Sequence, residues 1–99
     1  MPDVVSIHFA SGVDAELYDQ INDRVNPPNG TPEGLIFHCA GPMPNGGWRI
    51  IDVWESRSTF DRFLESKVVP AMAELVGEEA LQSAEQPTIE SWPVYKYHH

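Results

Sequence analysis

Ninety-nine residues suffice for one domain, expected to occupy 1–99 as a single unit, and such a domain buries only about 60–70% of the surface that its unfolded chain exposes. Hydrophobic residues at 41% and charged residues at 21% are globular values, and no apolar run is long enough to span a bilayer. Six Lys and Arg against fifteen Asp and Glu give a net charge of -9, the wrong sign for neutralising phosphates or anionic lipid, which argues against nucleic acid and membrane surfaces as partners.

The opening MPDVVSIHFA lacks the basic and long apolar regions of a signal peptide, and the single Cys39 cannot form an internal disulfide, so a reducing cytoplasm is the expected location. VVSIHFA, residues 4–10, is short and rich in β-branched residues and reads as a strand. Val13, Leu17, Ile21 and Val25 then recur every four residues, the period of an amphipathic helix, with Ser11 placed as N-cap and Asp14 three residues on. That helix must stop at NPPNGTPEG, residues 26–34, because prolines lack the N–H and disfavour helical geometry just before them. GLIFHCAG reads as a second strand, GPMPNGG as a hairpin connection, and WRIIDVW as the third strand.

A second helix is predicted after Ser56 or Ser58, its apolar stripe running from Phe60 and Phe63 through Met72 to Val76, with Gly77 as its terminator. Pro70 removes a helical hydrogen bond, so a break is expected near Val68–Pro70. EEALQSAEQ suggests one helical turn, and TIESWPVY a last strand, placed at an edge by Pro93. His98 and His99 are set aside as a tail. The order βαββαβ is the α+β, ferredoxin-like arrangement: an antiparallel four-stranded sheet with two helices on one face.

Strand alternation sorts the side chains. Odd positions give Val5, Ile7, Phe9, Leu35, Phe37, Cys39, Ile51 and Val53, an almost wholly apolar face. Even positions give Ser6, His8, Ile36, His38, Ala40, Trp48, Ile50, Asp52, Trp54, Glu90 and Trp92, which mix aromatic with ionisable groups. Helices on one side of the sheet leave the other face to be covered, most simply by a second copy of the chain.

The strand end Val53-Trp54-Glu55-Ser56, followed by Ser58-Thr59-Phe60, Phe63-Leu64 and the helix through Met72, resembles the dimeric α/β-barrel superfamily, particularly its antibiotic-biosynthesis-monooxygenase-like group. The resemblance implies a homodimer whose sheets pack face to face, with a pocket between helices and sheet in each subunit. It assigns the odd face to the dimer and the even face to the pocket. The group's activities include cofactor-independent oxygenation of aromatic polyketides, cyclisation, isomerisation and haem degradation, and fold alone does not select among them. Haem-degrading relatives use a histidine late in the second helix and a tryptophan earlier on it. The matching positions here are Ala73 and Phe63, so no haem, and no other cofactor, is expected.

His8, His38 and Asp52 are expected to point the same way from adjacent strands. A carboxylate beside an imidazole fixes its tautomer and strengthens it as a base, which suits general-base catalysis; the bland alternative is that Asp52 only accepts structural hydrogen bonds from backbone or an indole. A one-residue bulge in GPMPNGG would separate His38 from Asp52. Trp48, Trp54, Trp92, Tyr18 and Phe63 are candidate walls for a flat apolar or aromatic ligand, although large aromatics more often fill cores, and Trp54 reads first as core. Cys39 reads as an inert thiol. Two histidines and one carboxylate could also suggest an iron triad, but no ligand spacing supports it, and no metal is expected. The expected function is therefore base-initiated, cofactor-independent chemistry on a small flat molecule, as a monooxygenase or as a cyclase or isomerase. A non-catalytic ligand-binding dimer is the alternative.

Overall fold

The computed structural model describes residues 2–26, 32–44, 46–83 and 86–96. Part of NPPNGTPEG and the tail residues His98 and His99 lie outside them. The element order is β1 (Asp3–Phe9), α1 (Ala15–Val25), β2 (Leu35–Pro42), β3 (Trp48–Trp54), α2 (Arg57–Phe63), a π-helical turn (Leu64–Val68), α3 (Val69–Val76), α4 (Glu78–Ser83) and β4 (Thr88–Pro93). All pairings are antiparallel, and the strand order is β2-β3-β1-β4, the ferredoxin-like arrangement. β3 lies between the first two strands, and the proline-containing β4 lies at an edge, both as the sequence predicts.

Helix ends follow side-chain chemistry. Asp14, not Ser11, caps α1: its Oδ1 accepts the Leu17 N–H at 2.9 Å, and the chain turns helical only at Ala15. A carboxylate satisfies an orphan donor and opposes the positive end of the helix. This leaves Val13 ahead of the helix. Ser56 caps α2 by accepting from Thr59 N–H at 3.2 Å, and Asp3 Oδ2 accepts the Arg57 N–H at 2.9 Å, tying the start of α2 to β1. Gly77, with φ of +88°, ends α3 where a β-carbon would be strained.

The expected break at Val68–Pro70 takes a milder form. The chain stays helical from Arg57 to Val76, with the π turn set just ahead of Pro70; the Val69 N–H reaches back to Leu64 O, five residues away. The wider turn makes room for a ring that carries no donor and would crowd the carbonyl of a regular turn.

The largest departure from the sequence reading concerns which residues share a face. On β1 and β3, Val5 pairs with Asp52, Ile7 with Ile50 and Phe9 with Trp48, so odd positions of β1 join even positions of β3. Alternation fixes sides within a strand, whereas register fixes the phase between strands. Val5, Ile7 and Phe9 therefore belong to the helix-covered side, and Val5, Ile7, Trp54 and Phe60 form its core cluster. A bulge lies at Ile36, between Leu35 and Phe37, rather than in the hairpin, and it turns Leu35 toward the helices as well. The uncovered side carries Val4, Ser6, His8, Phe37, Cys39, Arg49, Ile51, Val53, Glu90 and Trp92. It is apolar at Val4, Phe37, Ile51, Val53 and Trp92, and polar along His8, Arg49 and Glu90.

Candidate active site

The β2–β3 hairpin places His38 directly opposite Asp52. Its turn is closed by Met43 N–H to Gly47 O and Gly46 N–H to Met43 O, both at 3.0 Å. Gly47 has φ of +87°, and a β-carbon there would lie 2.5 Å from Phe9 O, so only glycine lets the hairpin lie against the end of β1. With this register kept, the His38 Nδ1 and Asp52 Oδ1 atoms are 2.5 Å apart. The other carboxylate oxygen, Oδ2, accepts the Trp54 indole N–H at 3.1 Å. Residues 52 and 54 share a strand face, so the indole reaches the carboxylate without leaving the core.

Asp52 therefore serves both the site and the fold. Its side chain is 7% exposed, whereas that of His38 is 31% exposed: the carboxylate is anchored inside and the imidazole reaches outward. An ionised carboxylate only accepts, so the proton of this contact belongs to Nδ1, and a neutral His38 presents a lone pair at Nε2. Tyr18 on α1 fills that position, its hydroxyl in hydrogen-bond contact with Nε2. The two ring planes are parallel within 3°, with centroids 6.0 Å apart. Contact through the hydroxyl at that separation lays phenol and imidazole end to end.

Desolvation raises the Tyr18 pKa above the usual 10.0, reinforced by the charges of Asp52 and Asp19 and partly offset by the Asn22 side chain. Tyr18 is a neutral phenol at neutral pH. A folded-state pKa raised above the unfolded value means stability that is intact below pH 10 and declines as the pH rises through the folded-state value. Denaturant unfolding measured in a series of buffers spanning pH 10 and above is expected to show this decline in the wild type and a weaker one in Tyr18→Phe.

The Tyr18–His38–Asp52 chain opens into a cavity of about 280 Å³ between sheet and helices, just under the range of about 300–1,000 Å³ common for drug-sized ligands. Ile7, Phe9, Ile21, Ile50, Phe63 and Met72 are among its walls, and among the described residues its ionisable lining groups are Tyr18, His38 and Asp52. The room suits a small, largely apolar molecule whose polar end meets this chain.

Five of the eight residues read from the sequence as site candidates assemble here: His38, Asp52, Tyr18, Trp54 and Phe63. Trp54 is both core and wall, at 1% exposure. Three do not line the cavity. Trp48 is buried, tilted against Tyr18 at a centroid distance of 5.2 Å, and backs the phenol instead of touching the cavity. His8 pairs with Arg49 and Thr88, and Trp92 with Val4, so both face the uncovered side. With His8 across the sheet, the two-histidine, one-carboxylate set does not assemble, and among the described residues no group of three or more His, Cys, Asp or Glu could hold a metal ion. Asn22 lines the cavity and was missed; its spacing of four residues from Tyr18 on one helix face was the available signal.

No protein-family model and no curated protein matches the chain. Solved structures do. A Deinococcus radiodurans protein assigned to the antibiotic biosynthesis monooxygenases aligns over 100% of this chain and 97% of its own, at 15% identity and a TM-score of 0.62. SnoaB, a cofactor-independent oxygenase from Streptomyces nogalater, covers 97% of this chain with 94% of its own at 16% identity and a TM-score of 0.56. A third, the protein YJCS, covers 95% of this chain with 99% of its own at 11% identity and a TM-score of 0.60. The chain thus has the fold of the antibiotic-biosynthesis-monooxygenase-like proteins.

Proposed function

We propose that this protein is a cofactor-independent enzyme that starts its chemistry by removing a proton from a small flat apolar or phenolic substrate, acting as an oxygenase. The observation that carries the reading is the Asp52–His38 pair, at 2.5 Å, which together with Tyr18 lines a cavity whose other lining groups, among the described residues, do not ionise. Asp52 fixes the imidazole tautomer and stabilises the imidazolium formed by proton uptake, while the hydrocarbon walls exclude water and leave the substrate anion poorly solvated. Such an anion can transfer electrons to dioxygen. A carbon–oxygen bond forms, the peroxide anion takes a proton to become a hydroperoxide, and loss of the remaining hydrogen on that carbon with cleavage of the O–O bond releases water and leaves a carbonyl. The structural likeness to a cofactor-independent oxygenase supports this outcome over cyclisation or isomerisation, which the same base could start.

Dioxygen uptake measured over a panel of hydroxylated naphthalenes and anthracenes tests the reading. Uptake by the wild type is expected, falling about 100- to 10,000-fold in His38→Ala. Conversion without dioxygen would establish the cyclase or isomerase, and binding without turnover a ligand-binding protein.

The reading includes a homodimer. Phe37 at 37% and Trp92 at 48% exposure stand on the uncovered sheet face beside Val4 and Ile51, and a second copy would cover them. Light scattering is expected to give twice the chain mass of 11.1 kDa; a stable monomer at micromolar concentration would sink this part.

A further inference from the structure

His38 is not free to meet a substrate. Its Nδ1–H is given to Asp52 Oδ1 and its Nε2 is covered by the Tyr18 hydroxyl, so both imidazole nitrogens are taken. The Tyr18 oxygen donates its one proton to Nε2 and keeps lone-pair capacity. Tyr18 itself lines the cavity. Trp48, packed against the phenol at 5.2 Å and 7% exposed, limits how far the ring can swing from His38.

We infer that Tyr18 is the catalytic residue that touches the substrate, and that it relays the substrate's proton to His38. In this step the substrate's acidic C–H or O–H bond breaks and its proton joins the Tyr18 oxygen. The original Tyr18 proton passes to Nε2, and the imidazolium is held by Asp52. One proton has moved from substrate to His38, the substrate keeps the electron pair, and Tyr18 ends as the neutral phenol it was. The inference rests on the base reading above and adds a substrate class. Because the proton finally resides on an imidazole, the substrate must carry an acidic proton flanked by electron-withdrawing groups, as in an activated phenol or a carbon between carbonyl groups. A plain aromatic hydrocarbon is excluded.

Two measurements test the relay. Nitrogen-15 NMR of the wild type near neutral pH is expected to show neutral His38 in the Nδ1–H tautomer, with the Nε2 resonance moving in Tyr18→Phe. A neutral Nε2–H tautomer would overturn the relay, because Tyr18 could not then donate to that nitrogen. The second measurement uses 4-nitrophenol, whose phenolate is yellow, in mildly acidic buffer. Wild-type protein is expected to generate the phenolate band on binding, Tyr18→Phe to bind the probe with that band lost, and His38→Ala to lose it too. A band kept by Tyr18→Phe but lost in His38→Ala would show that His38 takes the proton directly, overturning the relay while leaving the base reading standing. A band kept in His38→Ala would overturn both. No band in the wild type at saturation would overturn the relay.

Discussion

Asp52→Asn is expected to lower turnover by about 100- to 10,000-fold while leaving a folded but less stable protein. Asn presents one acceptor and one donor where Asp presents two acceptors. With the amide oxygen kept on the Trp54 N–H, the NH2 group faces Nδ1 and holds neutral His38 in the Nε2–H tautomer. That places a proton where Tyr18 must deliver its own. With the amide reversed, the Trp54 indole N–H loses its acceptor in the core. Either way one charge-assisted contact is lost, and the expected destabilisation is about 1–3 kcal/mol. Turnover of any phenol consumed by the wild type, measured with denaturant unfolding and the His38 tautomer, checks this result. Full activity in Asp52→Asn would mean that the carboxylate has only a structural part.

Trp54→Ala should produce the largest loss of stability, about 3–5 kcal/mol. The ring is 1% exposed and packs against Phe60 and Phe63, with centroids 5.8 Å and 5.3 Å away. Truncation also strips Asp52 Oδ2 of its donor. Small domains hold only about 5–15 kcal/mol in total, and each kilocalorie lowers the melting temperature of a domain this size by about 4–8 °C. A drop of at least about 12 °C is therefore expected by calorimetry. Trp54→Phe should lose less, since a ring remains and mainly the hydrogen bond is removed. A melting temperature within a few degrees of wild type in Trp54→Ala would place the core elsewhere.

The sequence carried the local signals well and the relations between strands less well. The four-residue spacing from Val13 to Val25, the Ser56 cap, the Gly77 stop and the edge proline at 93 each act over a few residues; α2, the Gly77 stop and β4 appear where those residues put them, whereas α1 begins only at Ala15, past Val13. His38 and Asp52 were legible as a pair because a hairpin joins their strands and keeps their phase. His8 and Trp92 were misplaced because β1 meets β3 across a long connection, and no local residue says whether odd positions of one strand meet odd or even positions of the other. The same ambiguity sent Val5, Ile7 and Phe9 to the wrong face. Tyr18 was legible as a candidate wall for the ligand but not as a partner of His38; that contact depends on how α1 lies over the sheet, which packing settles.

The strand order has a consequence in time as well as in space. Among the described strands β2 is hydrogen-bonded only to β3, while β3 is held on both sides, so the two halves of the site differ in how readily they open. Asp52 sits on a central strand, expected to be among the slowest to exchange, and His38 on an edge expected to separate at a lower free-energy cost. Amide protons of β2 should exchange with solvent ahead of those of β3, and the breathing of that edge gives the imidazole a motion that its carboxylate partner does not share.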